Sequence, residues 1–242
     1  VFRLDEHLEA RQYILSAEAF EFNIDYRDLR GIDLQEDQVR DYIYRESVAA
    51  FDLSHGPLLR LGLFRLGDED YVLNSVMHHI ISDAWSMEVM VRELMLLYNG
   101  LSQGRDVVLP GLNLQYRDYS VWQQDNLQNG SYEEHARYWQ EQFTSVPGVL
   151  DLPTDYLRPV VKTYNGAVYN KLFSRNLTQG LKDLVHESGS TLFMGLLGML
   201  NVLFYRYTGQ KDIVLGTSVA GRNHPDLEDQ IGFYINTLAL RT

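Results

Sequence analysis

Apolar positions recur at every second place, imperfectly, along residues 58–66 (Leu-Leu-Arg-Leu-Gly-Leu-Phe-Arg-Leu), which predicts a strand. The polar Gly67-Asp-Glu-Asp70 is a turn, and the apolar run resumes from Tyr71 to Met77, so the two segments read as a β-hairpin. Ahead of it, Val39, Tyr42, Ile43, Ala50 and Phe51 fall at near-helical spacing and predict a helix over 37–51. A second helix spans Ser86 to Asn99, with Gly100 at the position that ends it. Residues 115–127 place Tyr116, Tyr119, Trp122 and Gln123 on one helical face. Ser131-Tyr-Glu-Glu134 has the form of a capping box and opens a further helix carrying Trp139 and Phe143.

The composition changes after Ser145, where Pro147, Pro153 and Pro159 interrupt any helical pattern. Beyond it come a helix over 178–188 stopped by Gly189 and an apolar helix over 191–207. Strands follow at 212–219 and 233–241, separated by a polar loop from Gly221 to Asp229. The fold class is therefore mixed α/β (α+β) in two lobes. Residues 1–146 form an N-terminal lobe portion, 147–166 an inter-lobe connector and 167–242 a C-terminal lobe portion.

At 45% apolar and 12% aromatic residues, the 242-residue chain has the make-up of a globular protein with a real core. Its net charge of −12 disfavours nucleic acid and anionic membrane as partners. The longest apolar stretch, Leu192 to Tyr205, is short of a membrane span and reads as a buried core helix. The start lacks a signal-peptide pattern and an initiator Met, which points to a cytoplasmic protein and to a piece of a longer chain. There is no cysteine, so disulfides, thiolate metal sites and a cysteine nucleophile are excluded. His55, His135, His186 and His224 are scattered without metal-ligand spacing, and no metal site is expected.

The chemistry concentrates in Met77-His78-His79-Ile-Ile-Ser-Asp83-Ala84-Trp85-Ser86. Seven histidines in 242 residues give roughly 0.17 adjacent pairs by chance, and requiring an aspartate four residues on lowers this to roughly 0.014. If the strand continues to His79, alternation sends the two imidazoles to opposite faces, one to a cleft and one into the fold. Asp83 can return toward the strand end, where it either pairs with a buried arginine or orients an imidazole. Ser86 is a candidate N-cap for the helix that follows.

This segment resembles the His-His-x-x-x-Asp-Gly signature of condensation domains from nonribosomal peptide synthetases. Four more stretches are similar to that family in the same order: Phe51-Asp-Leu-Ser-His-Gly-Pro-Leu-Leu-Arg60, Tyr116-Arg-Asp-Tyr-Ser-Val-Trp122-Gln123, Leu152-Pro-Thr-Asp155 with Arg158-Pro159, and Ile231-Gly-Phe-Tyr-Ile-Asn236-Thr-Leu. The last is similar to the family's Ile-Gly-x-Phe-Val-Asn-Thr-Leu. The resemblance implies a two-lobed, chloramphenicol-acetyltransferase-like fold, truncated at both ends. It places the arginine partner of Asp83 ahead of Val1, outside this chain, and it puts Ala84 where the family keeps a glycine beside the channel.

The implied reaction is attack of an acceptor's α-amine on a donor thioester, which lengthens a peptide by one amide. Substrates would arrive on 4′-phosphopantetheine arms of donor and acceptor peptidyl carrier proteins, with an adenylation domain adjacent in the parent chain. The domain itself would bind no cofactor. His79 is expected to be catalytic, orienting the amine and accepting its proton, with His78 and Asp83 as supports. Ala84, Trp85, Ser86 and Asn236 are candidate tunnel or substrate-lining positions. The Ile-Ile-Ser-Asp-x-Trp-Ser wording is more similar to domains joining two L-residues. A stand-alone acyltransferase and a non-catalytic docking domain are the alternatives. Epimerisation domains carry a Glu-Gly-His-Gly-Arg-type segment that Thr217-Ser-Val-Ala-Gly-Arg-Asn-His does not match, and cyclising relatives replace the histidines by aspartate.

Overall fold

The chain starts with a short antiparallel pair, β1 (Phe2–Leu4) and β2 (Ala10–Gln12), followed by β3 (Ile24–Asp28) and helix α1 (Gln35–Val48). Strands β4 (Leu59–Arg65) and β5 (Tyr71–Met77) come next, then α2 (Ala84–Ser102) and α3 (Tyr116–Gln128). The computed structural model describes residues 1–19, 21–163 and 165–242, so Tyr164 of the expected connector lies outside the described residues. Two compact units emerge: residues 1–123 with 220–235, and residues 124–219 with 236–242. These limits differ from a division at 147–166.

In the first unit the hairpin is as the alternation predicts, with Leu59 opposite Met77 and Arg65 opposite Tyr71. Strand β3 adds parallel to β4, from Ile24 against Leu61 to Asp28 against Arg65, with α1 as the crossover. Leu29, Val39, Tyr42 and Phe64 form the core between helix and sheet, with Leu66 and Val72 packed on it. Gly62 makes that packing possible, because a Cβ there would lie 2.8 Å from the Tyr42 ring. The α1 helix stops at Val48 rather than Phe51. Arg60 of β4 donates through Nη2 to the carbonyls of Glu46 and Ala49, both at 2.9 Å, and so satisfies the helix end. Its guanidinium then lies 3.9 Å from the centroid of the Phe51 ring.

Gly100 does not terminate α2, which continues to Ser102. Gly100 is buried and serves close packing instead, since a Cβ there would meet Val107 Cγ2 at 1.9 Å. The turn falls to Gly104, at φ +67°.

In the second unit, α4 (Glu133–Gln142), α5 (Arg175–Glu187) and α6 (Leu192–Thr208) precede strands β6 (Val214–Val219) and β7 (Asn236–Arg241). The Ser131 capping box does not form. Asn129 Oδ1 accepts from both the Ser131 N–H at 3.0 Å and its hydroxyl at 2.5 Å, leaving Tyr132 at the cap without a side-chain bond. No helix or strand runs through the described residues of 146–174. Ser174 and Thr191 cap α5 and α6, and Gly209 at φ +71° closes α6. Strands β6 and β7 pair antiparallel from Val214 against Arg241 to Val219 against Asn236.

The α6 helix is not the buried core helix that its apolar run predicts. Gly195 packs close against Val185 of α5, yet Phe193, Met199 and Leu203 remain 54%, 48% and 47% exposed. A helix apolar round its whole circumference needs neighbours on several sides, and α5 meets one stripe. Among the described residues no single helix is long and apolar enough to cross a membrane. The α5–α6 pair, bent by 105°, reaches that length and composition only together.

Candidate active site

Strand β5 ends at Met77, and the chain tightens at once into a 3-10 turn over His79–Ile81. His78 keeps one last sheet bond, its N–H donating to the Leu58 carbonyl at 2.9 Å. Its Nδ1 accepts from the Ile80 N–H at 3.0 Å, so the side chain caps the turn. The ring stands edge-on to Phe51, with centroids 5.6 Å apart. The opposite-face prediction for two histidines on one strand therefore gives way to a different division. His78 holds the turn, and the exposed His79 projects from it.

The geometry fixes the His79 tautomer. Its Nδ1 lies 2.6 Å from the backbone carbonyl of Ser82, and a carbonyl only accepts, so Nδ1 carries the proton. In the neutral ring Nε2 then presents a lone pair, with no hydrogen-bond partner among the described residues. The Phe233 ring stands beside the imidazole at 5.5 Å and 80°.

Asp83 does not touch either imidazole. It is the N-cap of α2, with Oδ1 accepting from the Ser86 N–H at 2.8 Å and from the Ser86 hydroxyl at 2.7 Å. Ser86 is thus a buried residue of the first helical turn and neither the cap nor a tunnel-lining position, being 1% exposed. Its oxygen lies between Asp83, the Gly232 carbonyl (2.8 Å), the Gly232 N–H (3.0 Å) and Arg222 Nη2 (2.9 Å).

Asp83 pairs with Arg222 of this chain, whereas the resemblance placed its arginine partner ahead of Val1. Arg222 donates through Nη2 to Asp83 Oδ1 at 3.1 Å, and the two side chains are 1% and 4% exposed. Through Nη1 it donates to the carbonyls of Leu227 and Gln230, and its plane lies 4.1 Å from the Tyr234 centroid. The Tyr234 N–H completes the carboxylate shell, donating to Asp83 Oδ2 at 3.1 Å. Burial pushes the Asp83 carboxyl up. The two Ser86 bonds, the Tyr234 N–H and the Arg222 charge outweigh it and hold the group below the usual carboxylate range. Burial also pushes the Tyr234 phenol up to about 12, against the opposing pull of Arg222.

Residues 220–235 are therefore pinned to the start of α2. Gly221 at φ +68° leaves no room for a Cβ, which would lie 2.1 Å from the Tyr234 carbonyl. Tyr116 donates through its hydroxyl to the Phe233 carbonyl at 2.8 Å, and Gln230 bridges the Leu114 and Asp226 carbonyls. Trp85 is 40% exposed and donates from Nε1 to the Glu228 carbonyl, while Ala84 is exposed at the first helical position. Asn236 opens β7 in the second unit, its Oδ1 accepting from the Thr237 N–H. Arg222, Tyr234, Phe233 and Gln230 were not among the expected site residues. The Ile231-Gly-Phe-Tyr segment was the available signal for two of them, while Arg222 sits in a polar loop without a motif of its own.

A histidine pair thus closes a strand, and the aspartate that follows it is tied to a distant arginine. The whole chain, residues 1–242, matches the Condensation domain family, and the chain belongs to it. It is 45% identical over 219 residues to a linear gramicidin synthase of Brevibacillus parabrevis, covering 90% of this chain and 3% of that protein. It is 27% identical to the four-domain nonribosomal peptide synthetase AB3403, whose structure is bound to AMP and glycine, with a TM-score of 0.76 over 92% of this chain and 16% of that one. The X-domain from teicoplanin biosynthesis shares 25% identity and a TM-score of 0.82, covering 100% of this chain and 53% of that one. The fold is thus the chloramphenicol-acetyltransferase-like fold of condensation and epimerisation domains. The chain spans about 3% of the length of that synthase and about half of the X-domain.

Proposed function

We propose that this domain forms an amide bond in nonribosomal peptide synthesis. The acceptor's α-amine nitrogen attacks the carbonyl carbon of a donor aminoacyl or peptidyl thioester, the C–S bond breaks and an amide remains. Both substrates are carried on phosphopantetheine arms of carrier proteins. His79 Nε2 accepts the amine proton and returns it to the departing sulfur, which leaves as a thiol.

The observation that carries this reading is the 2.6 Å bond from His79 Nδ1 to the Ser82 carbonyl, which leaves Nε2 as an acceptor on an exposed ring. An α-amine with a pKa of about 7.7–8.0 is already free to about a tenth at pH 7, so the task is chiefly to hold it in line. Asp83 serves as a support. Its carboxylate is spent on Arg222, Ser86 and Tyr234, so it makes no direct bond to His79 and acts on it through the backbone. The test presents the protein with loaded donor and acceptor carriers and follows the acceptor's mass. A gain of one donor residue, absent with His79→Ala, is expected. An unchanged rate in that variant overturns the assignment.

A further inference from the structure

Phe233 is an exposed aromatic residue on an unusually fixed backbone. The preceding Gly232 N–H donates to Ser86 Oγ at 3.0 Å, and the following Tyr234 N–H donates to Asp83 Oδ2 at 3.1 Å. The carbonyl of Phe233 itself accepts from Tyr116 at 2.8 Å. Its neighbour Tyr234 is 4% exposed and belongs to the core, but Phe233 is 39% exposed, so burial does not account for its ring. What the ring meets is His79, nearly perpendicular at 80° with centroids 5.5 Å apart. In the strand motif Ile-Gly-x-Phe-Val-Asn-Thr-Leu, Phe233 falls on the position the motif leaves open.

From this the geometry points to Phe233 as a positioning residue for His79. The Ser82 carbonyl fixes one end of the imidazole, and a hydrogen bond by itself allows the ring to swing about that contact. The Phe233 ring forms a wall on a second side and holds the rotamer in which Nδ1 meets Ser82 and Nε2 faces outward. Both fixtures converge on Asp83, which follows Ser82 in the chain and accepts from the residue after Phe233. The catalytic consequence rests on the reading of His79 given above.

The test has two readouts. In the chain labelled with nitrogen-15 histidine, the difference between the His79 Nδ1 and Nε2 shifts reports the tautomer, and ring currents barely move it. His79→Gln identifies the signals by their loss. Phe233→Ala is expected to shrink that difference toward a tautomer mixture and to lower kcat for amide formation about tenfold, with the acceptor KM within about twofold. Phe233→Tyr is expected to restore both. Should Phe233→Ala precipitate, Phe233→Leu carries the same test, keeping bulk without a ring. Unchanged His79 nitrogen shifts in the variant overturn the proposal whatever the rate. Altered shifts with an unchanged kcat overturn it equally. If the unaltered protein transfers nothing, the condensation reading fails while the nitrogen shifts still decide whether Phe233 positions His79.

Discussion

Arg222 and Asp83, 139 residues apart, meet at 3.1 Å with almost no solvent access. The pair joins the turn that carries His79 to the loop that carries Phe233, so two halves of the site share one charge contact. The Arg222 guanidinium is also held through Nη1 by the Leu227 and Gln230 carbonyls and lies over Tyr234, while its buried Nε has no hydrogen-bond partner among the described residues.

Removing one partner of such a pair leaves the other charge buried. Arg222→Ala is expected to cost about 3–5 kcal/mol of folding stability, and Asp83→Ala a comparable amount. The double variant should lose less than the sum of the two. Urea denaturation of the four proteins checks this, and additive losses would show that the contact carries no coupling.

The Asp83 carboxyl titrates below its ordinary value in the folded chain. Its contribution is therefore complete above the unfolded value of about 3.9 and is lost as pH falls below it. Stability measured downward from pH 5 should fall less steeply in Asp83→Asn than in the unaltered protein. Parallel curves would mean that Asp83 is not linked to folding.

The Tyr234 phenol, pushed up to about 12, donates to Gln230 Oε1 at 2.5 Å. The unfolded chain loses this proton from about pH 10, so stability falls as pH rises from there toward 12. Tyr234→Phe should flatten that alkaline slope while costing about 1–3 kcal/mol at neutral pH, because Gln230 Oε1 loses its donor. An alkaline slope identical in both proteins would contradict the assignment.

Gly232 has no room for a side chain, since a Cβ would lie 2.5 Å from Tyr116 Cδ2 and 2.8 Å from Tyr234 Cε2. Tyr116 is held in place by its own bond to the Phe233 carbonyl. Gly232→Ala should therefore cost about 1–3 kcal/mol and loosen the loop on α2. Thermal unfolding gives the stability, and amide exchange at Tyr234 gives the loosening. An unshifted Tm with full protection at Tyr234 would refute it.

Local pattern was enough to read the hairpin, the helix order and the place of the His-His pair between a strand end and a helix, because each depends on spacing within a few residues, whereas the tight turn over His79–Ile81 was not readable in it. Features set by distant contacts were not readable in the same way. Gly100 has the composition of a helix stop, but Val107 folds back on it, so it serves packing. Ser131 and Glu134 have capping-box spacing, and Asn129 captures the serine first. Ser86 has the residue type of a cap, while Asp83 three residues earlier takes that place. The resemblance places the arginine partner of Asp83 ahead of Val1, and nothing in the polar loop distinguishes Arg222 from a solvated arginine. Only the fold brings Gly221, Arg222 and Tyr234 onto the start of α2. The apolar run of α6 correctly marked a helix, yet hydrophobicity states a need for cover and does not supply it.

The most direct test of the account is a single-turnover comparison of amide formation by the unaltered protein and His79→Ala, with donor and acceptor carriers loaded and donor hydrolysis measured in parallel. The account predicts a loss of about 10²–10⁴-fold in the variant, with its thermal unfolding unchanged and no compensating rise in hydrolysis. Transfer within about threefold of the unaltered protein would contradict it and remove Nε2 of His79 from the centre of the chemistry.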